Sequence, residues 1–401
     1  MIVASVWLAW EAIKVPFVER APPAMALRLA PSSPEVLRRA AEVELAADRT
    51  TNAAALADQS LAGGAFNARA LRIRGLAASR LGQSARADEL LTLAGNWSLR
   101  DDPAHVWLVD RRLRQGNYGS AFAHADTLAR RRIDLHPSIF NLFTTAATQD
   151  PRSLPHLARL LAAEPPWRRA YWNYLHSRPD GDGVFLWLAM ALERTREPLD
   201  NDELKRLYAF WVFEKRFQAI SLLREASGRP SSSSLVQNGD FSDPLEDQLL
   251  PFGWRLGAGS GLSVQVAEDD LRATNPSLWV NYDGYGNHLI AEQLLLLAPG
   301  QYRLNGEQRL QARSDTAGMA WIIECVGSDR RLAEYRPTDR TNASDRWTPF
   351  SVSVQVPAEN CPAQSLQLLP RPGDRHSNVV AWFDNMTISR SSGAPAPRPG
   401  R

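Results

Sequence analysis

The feature that most constrains the fold of this chain is a change of period at Gly228 to Phe241, GRPSSSSLVQNGDF. Upstream, apolar residues recur at helical spacing in stretches rich in Ala, Leu and Arg. Downstream they alternate at strand spacing, with turn residues every ten or so positions. Four serines after Gly-Arg-Pro bury little surface, so 229–237 reads as a flexible linker between two folding units. The 401 residues divide into an apolar start (1–33), a helical domain (34–228), the linker, a β domain (238–390) and a disordered tail (391–401).

Composition excludes one class of partner. The formal charge is +2, and no basic cluster is interleaved with aromatics, so nucleic acid is disfavoured. Lys14, Lys205 and Lys215 are the only lysines among 46 basic residues, a bias expected of a GC-rich bacterial genome. The two cysteines, Cys325 and Cys361, both fall in the β domain. They read as one disulfide formed in an oxidising compartment, with two unrelated buried thiols as the alternative. MIVASVWLAW at the start is too short to span a bilayer and lacks the flanks of a signal peptide. It is either the tail of an export or anchor segment, which implies membrane association, or the first helix of the helical domain.

From Pro34 a fixed offset links Ala53, Ala87 and Ala121, and also Leu37 with Leu71, Ala41 with Gly75, and Gly82 with Gly116. Each separation is 34 residues. These positions, with LRIRGLAASRLGQSARADELLTLA and VWLVDRRLRQGNYGSAFAHADTLA as the clearest copies, resemble the tetratricopeptide repeat, whose small residues let paired helices cross closely. The resemblance implies a solenoid with a groove for a protein partner, although most of the family's first-helix aromatics are missing. Past Pro151 the period decays. A last helical pair, near Asp200 to Lys215 and Arg216 to Ser227, carries Tyr208, Phe210, Trp211 and Phe213, read as a buried cap that also touches the next domain.

Beyond the linker, eight strands are predicted: Ser263 to Ala267, Ser277 to Tyr282, His288 to Leu296, Gly300 to Gln311, Ala317 to Val326, Phe350 to Val356, Gln364 to Pro370 and Asn378 to Ser389. Pro299-Gly300 marks a tight turn, and the set describes an antiparallel jelly-roll sandwich. NGDF at 238–241, PFGW at 251–254 and WFDNMTIS at 382–389 resemble the opening and closing motifs of jelly-roll carbohydrate-binding modules. That resemblance, over Leu235 to Arg390, implies that the first and last strands lie side by side, bringing Asn238 and Asp240 near Asp384. Oxygen ligands converging there would suit a structural Ca2+, and a hydrogen-bonded turn would give the same sequence. For sugar, the candidate patch is Trp279, Tyr282, Asp283, Tyr285, Asn287 and His288 in WVNYDGYGNHLIAEQ, aromatic faces beside polar rims. The alternative for Trp279, as for Trp254, Trp321 and Trp382, is burial in the core.

Catalytic patterns are missing: no phosphate cradle, Cys-x-x-Cys, His-Glu-x-x-His or nucleophile elbow occurs. His105 and His124 fall in one helical pair and are expected on a solvated face. Asp269, Asp270 and Glu292 are the carboxylates that a glycosidase would need to oppose. The expectation is a non-catalytic protein, periplasmic or membrane-anchored facing the periplasm. Chains of this type resemble accessory proteins encoded with bacterial exopolysaccharide or O-antigen machinery, which implies a scaffold that binds a protein through its repeats and a polysaccharide through its sandwich. The alternatives are a pure protein-interaction scaffold and a carbohydrate-active enzyme.

Overall fold

The computed structural model describes residues 17–64, 66–178, 181–195, 197–227, 235–312, 317–328, 330–337 and 346–391. The serine run, the first sixteen residues and the tail from 392 lie outside the described residues. Two compact units divide the chain, Met1–Pro198 and Leu199–Arg401.

The first unit is helical. After α1 (Pro23–Leu29) come three hairpins: α2 (Pro34–Ala46) with α3 (Thr50–Gly63), α4 (Ala68–Arg80) with α5 (Ser84–Trp97), and α6 (Asp102–Arg114) with α7 (Tyr118–Ala129). Leading helices begin at 34, 68 and 102 and returning helices at 50, 84 and 118, so both recur at the 34-residue offset. Ala53, Ala87 and Ala121 have no exposed surface because they sit where the paired helices approach. The turn between helices is closed by Gly82 and Gly116 at φ +78° and +68°, a left-handed conformation that costs a glycine little. The repeat then gives way to α8 (His136–Gln149), α9 (Leu154–Ala162), α10 (Arg168–His176) and α11 (Gly181–Leu192). Here bulk replaces small residues: Phe122, Phe143, Trp167 and Tyr171 pack together with ring centroids 5.1 to 6.2 Å apart, edge to face except for the tilted Phe143–Trp167 pair.

The second unit opens with α12 (Asn201–Phe213) and α13 (Phe217–Ala226). Asp200 caps α12, accepting from Glu203 N while the Glu203 side chain accepts from Asp200 N, a capping box. The strands are β1 (Arg255–Leu256), β2 (Leu262–Asp269), β3 (Arg272–Tyr282), β4 (Ala291–Leu295), β5 (Gly300–Ala312), β6 (Gly318–Cys325), β7 (Arg331–Tyr335), β8 (Thr348–Val356), β9 (Gln364–Arg371) and β10 (Val379–Arg390). They form two antiparallel five-stranded sheets, β1-β4-β9-β6-β7 and β2-β3-β10-β5-β8. Eight match the predicted strands; β1 and β7 are additional.

Each of the three motifs that carry the resemblance sends an aromatic into the core between the sheets. Phe241 stacks on Trp254 at 5.4 Å, Trp254 meets Trp321 at 5.7 Å, and Trp321 meets Phe383 edge-on at 5.4 Å. Gly239 lies against β10, its carbonyl accepting from Met386 N, and a Cβ there would fall 1.9 Å from Met386 O. The motif glycine is thus required by a close backbone approach. Cys325 at the end of β6 is bonded to Cys361 before β9, with Cα atoms 5.1 Å apart.

The compact units part at Pro198, about thirty residues before the expected linker. The reason is packing, since Phe252 is buried beneath the helices, edge-on to Tyr208 at 5.4 Å and under the Arg224 guanidinium at 3.8 Å. Of the expected aromatic cap, Tyr208 and Trp211 are buried, whereas Phe213 is 81% exposed. A fragment starting at Leu199 should therefore melt cooperatively and outlast one starting at Leu235 by about 2 kcal/mol, the value of burying one large apolar side chain. Denaturant titrations of the two fragments check this; equal midpoints would mean that α12 and α13 add nothing to the sandwich.

Candidate functional site

A strand sends successive side chains to opposite faces, and this alternation decides which candidate residues reach solvent. In β3, Leu278, Val280 and Tyr282 enter the core, so Trp279 and Asn281 face outward. Tyr282, three residues from Trp279, is 1% exposed and its hydroxyl donates to Gly286 O at 2.6 Å. It is a core residue, which corrects its place in the sugar patch.

The strand register extends the outward row across four strands. Gln265 of β2 stands opposite Trp279, Trp279 opposite Trp382 of β10, and Trp382 opposite Arg309 of β5. The two indoles lie 6.4 Å apart. Trp382 is nearly covered, with its Nε1 donating to Gln311 at 3.2 Å, so it backs the ring of half-buried Trp279. Sequence reasoning left Trp382 among the core candidates. Its register with Trp279, 103 positions away in the chain, is what places it on the outer face.

Toward one end of the row, Ser263, Asn281, Asp283, His376, Ser377 and Asn378 line a polar depression. Asp283 Oδ1 accepts from Tyr285 N at 3.0 Å and Gly286 N at 3.4 Å, and its other oxygen faces His376 Nδ1 at 3.4 Å. The backbone N–H of Tyr285, above all, holds this carboxyl below its usual range. Tyr285 is 60% exposed with its ring 5.0 Å from His376, and exposed His288 stands over Gly259 beside the depression. Asn287 is exposed on the same loop. The structure therefore brings Asp283, Tyr285 and His288 to one end of the outer face and Trp279 to its middle.

Toward the other end lies a clamp of charges. Arg272 stacks over Trp347 at 4.2 Å and donates to Glu307 at 2.8 Å and Asp384 at 3.2 Å. Asp384 also accepts from Asn275 Nδ2 and Asn385 N, each at 2.6 Å. Burial pushes the Asp384 carboxyl up, while the Arg272 hydrogen bond pulls Glu307 down. From Asn275 to Asn281 the face runs about 20 Å along β3.

The candidate Ca2+ ligands do not form a common set. Asn238 Oδ1 accepts from Asp243 N at 2.9 Å, Asp240 accepts from Ser242, and Asp384 turns outward to Arg272 and Asn275. The tetrad lies beside β10 and forms a hydrogen-bonded turn. Among the described residues no group of three or more His, Cys, Asp or Glu is placed to hold a metal. The carboxylates named for a glycosidase are also separated, Asp269 on β2 of one sheet and Glu292 on β4 of the other. His105 is buried rather than solvated, its Nδ1 3.1 Å from His124 Nδ1, and burial lowers both, His124 to about 4.

No protein-family model matches the chain, and no curated protein matches it. Among solved structures, it is similar to a family 61 carbohydrate-binding module in complex with β-1,4-galactotriose, at 16% identity over 40% of this chain and 100% of that one, TM-score 0.28. It is also similar to a family 16 carbohydrate-binding module, at 17% identity over 39% and 99%, TM-score 0.28. A third is the CBM22-1 xylan-binding domain from Paenibacillus barcinonensis, at 16% identity over 36% and 89%, TM-score 0.26.

Proposed function

We propose that the outer face of the β2-β3-β10-β5-β8 sheet binds an uncharged stretch of polysaccharide without cleaving it. The observation that carries this reading is Trp279: a half-open indole, backed by Trp382, in the middle of a face made largely of amides, hydroxyls and charged groups. A pyranose offers one apolar C–H side and a rim of hydroxyls. It stacks on such a ring while Gln265, Asn281 and Asp283 take the hydroxyl hydrogen bonds. Arg272 is engaged by Glu307 and Asp384, and Arg309 by Asp269 and Asp270; arginines held in this way favour a neutral ligand over an acidic one. The ligand is held rather than hydrolysed, because the carboxylates on this face are engaged with arginine or backbone N–H groups instead of opposing each other across a cleft.

The helical hairpins would then serve a protein partner, and the whole chain a scaffold in the assembly or export of a bacterial surface polysaccharide. A periplasmic or extracellular site agrees with the Cys325–Cys361 disulfide.

Affinity electrophoresis in gels containing the host's own surface polysaccharide tests the reading. Trp279→Ala should weaken retention by about tenfold, the loss of roughly 1.4 kcal/mol of stacking, with the melting temperature nearly unchanged. Tyr285→Ala should weaken it less. Retention unaffected by Trp279→Ala would move the site off this face, and wild-type protein retained by no glycan would leave the protein-interaction scaffold as the reading.

A further inference from the structure

We infer that the loops joining successive helical hairpins of the first unit form one edge that rests on an anionic lipid surface. The described residues of these loops hold four of the chain's exposed large apolar side chains: Phe66 at 89% exposure, Ile133 at 77%, Leu99 at 63% and Trp97 at 44%. Phe66 follows α3, Trp97 and Leu99 mark the exit from α5, and Ile133 follows α7, so the repeat itself delivers them to the same side. They are also physically continuous. The Phe66 ring stacks on Trp97 at 5.3 Å, bridging the first loop to the second. Arg131 Nη1 donates to Leu99 O and to Asp102, both at 2.8 Å, bridging the second to the third.

Charge identifies the occupant. Across 66–69, 97–102 and 130–134 there are five arginines against three aspartates. Asp101 is buried, Asp102 is held by Arg131 and Arg132, and Asp134 by Arg132. Arg69 and Arg100 are exposed and form no ion pair or side-chain hydrogen bond among the described residues. Aromatic and aliphatic loop tips among unmatched arginines suit a headgroup layer: the apolar groups enter the acyl boundary while the guanidiniums meet lipid phosphates. A groove-bound peptide would instead want a concave surface, and these residues are at loop tips. Among the described residues no helix is long and apolar enough to cross a membrane.

Co-sedimentation of the full chain with vesicles decides it, using phosphatidylcholine alone and phosphatidylcholine mixed with phosphatidylglycerol. The wild type should partition onto the mixed vesicles, weakly onto the neutral ones, and be released by salt. Phe66→Ser with Ile133→Ser should lower partition onto the mixed vesicles by more than about tenfold, from the lost apolar burial. Both side chains are largely exposed, so the helical circular dichroism and the melt should stay as in the wild type. Arg69→Glu with Arg100→Glu should abolish the preference for the anionic vesicles. The apolar start of the chain is present in every variant, so differences between them report on the loops. Equal partition of the wild type onto both vesicles, or wild-type binding by the serine variant, overturns the inference. So does a self-association in vesicle-free buffer that the serine pair abolishes, which would make the edge a contact between copies.

Discussion

Arg309→Ala should destabilise the second unit by about 3 to 5 kcal/mol, the usual consequence of removing one partner from a buried ion pair. Arg309 is 1% exposed although it sits on the outer face of its sheet. Its guanidinium is bonded to Asp269 and, at 2.6 Å, to Asp270. Asp269 is itself buried and also accepts from Trp347 Nε1 at 2.6 Å and Leu271 N at 3.3 Å. Without the arginine a carboxylate would be left in a site closed to water, with two neutral donors in place of a charge. For a unit of this size the loss corresponds to roughly 6–20 °C in melting temperature. Adding Asp269→Asn to Arg309→Met should recover much of it, because no charge remains to be compensated and the amide oxygen can keep the shorter of the two bonds, from Trp347 Nε1, at the loss of the 3.3 Å bond from Leu271 N. If the double variant melts no higher than Arg309→Ala, the loss comes from packing and not from the stranded carboxylate.

Removing the disulfide should cost about as much. Cys325 and Cys361 are 36 positions apart, and releasing a loop of that length from the unfolded chain is worth about 4 kcal/mol in the chain-entropy account. The bridge ties the end of β6 to the approach of β9, where Gln364 Nε2 donates to Cys361 O at 2.9 Å and Gln364 Oε1 accepts from Leu297 N at 2.9 Å. Cys325→Ser with Cys361→Ser should therefore lower the denaturant midpoint of the sandwich transition and leave the helical transition where it was. If the helical unit also loses stability, or the sandwich does not, the bridge is not acting as a local staple.

Much of this architecture is legible in the chain. Small residues at a constant offset announce the hairpins because only they allow the close helix crossing, and the helix starts repeat accordingly. β1 and β7 escape detection because two residues of one and RLAEY of the other show no alternation. That the Tyr208 and Trp211 cap touches the β domain is also legible; what escapes is the residue it meets, and with it the unit boundary at Pro198. Phe252, some forty residues on, supplies the surface. In the candidate site, the spacing of Trp279 and Tyr282 already forbids their sharing a face, since three steps along a strand reverse the side. Which of the two faces the core depends on long-range partners that no local pattern carries. β10 adds a change of parity: its register with β5 shifts between Asp384 and Thr387, with Asn385 at φ +53°, so even-numbered residues turn outward before the shift and inward after it.

The pleat of β3 also separates two histories within one strand. Leu278, Val280 and Tyr282 answer to the packing between sheets, while Trp279 and Asn281 answer to whatever lies on the outer face. Substitutions at such solvent-side positions usually shift stability by no more than about 0.5 kcal/mol. The residues of this outward row can therefore be exchanged without refolding the interior. The exceptions are the Arg309–Asp269 pair and the Arg272–Asp384 clamp, where the outer face has been built into the structure itself. Those positions set the part of the surface that drift cannot reach.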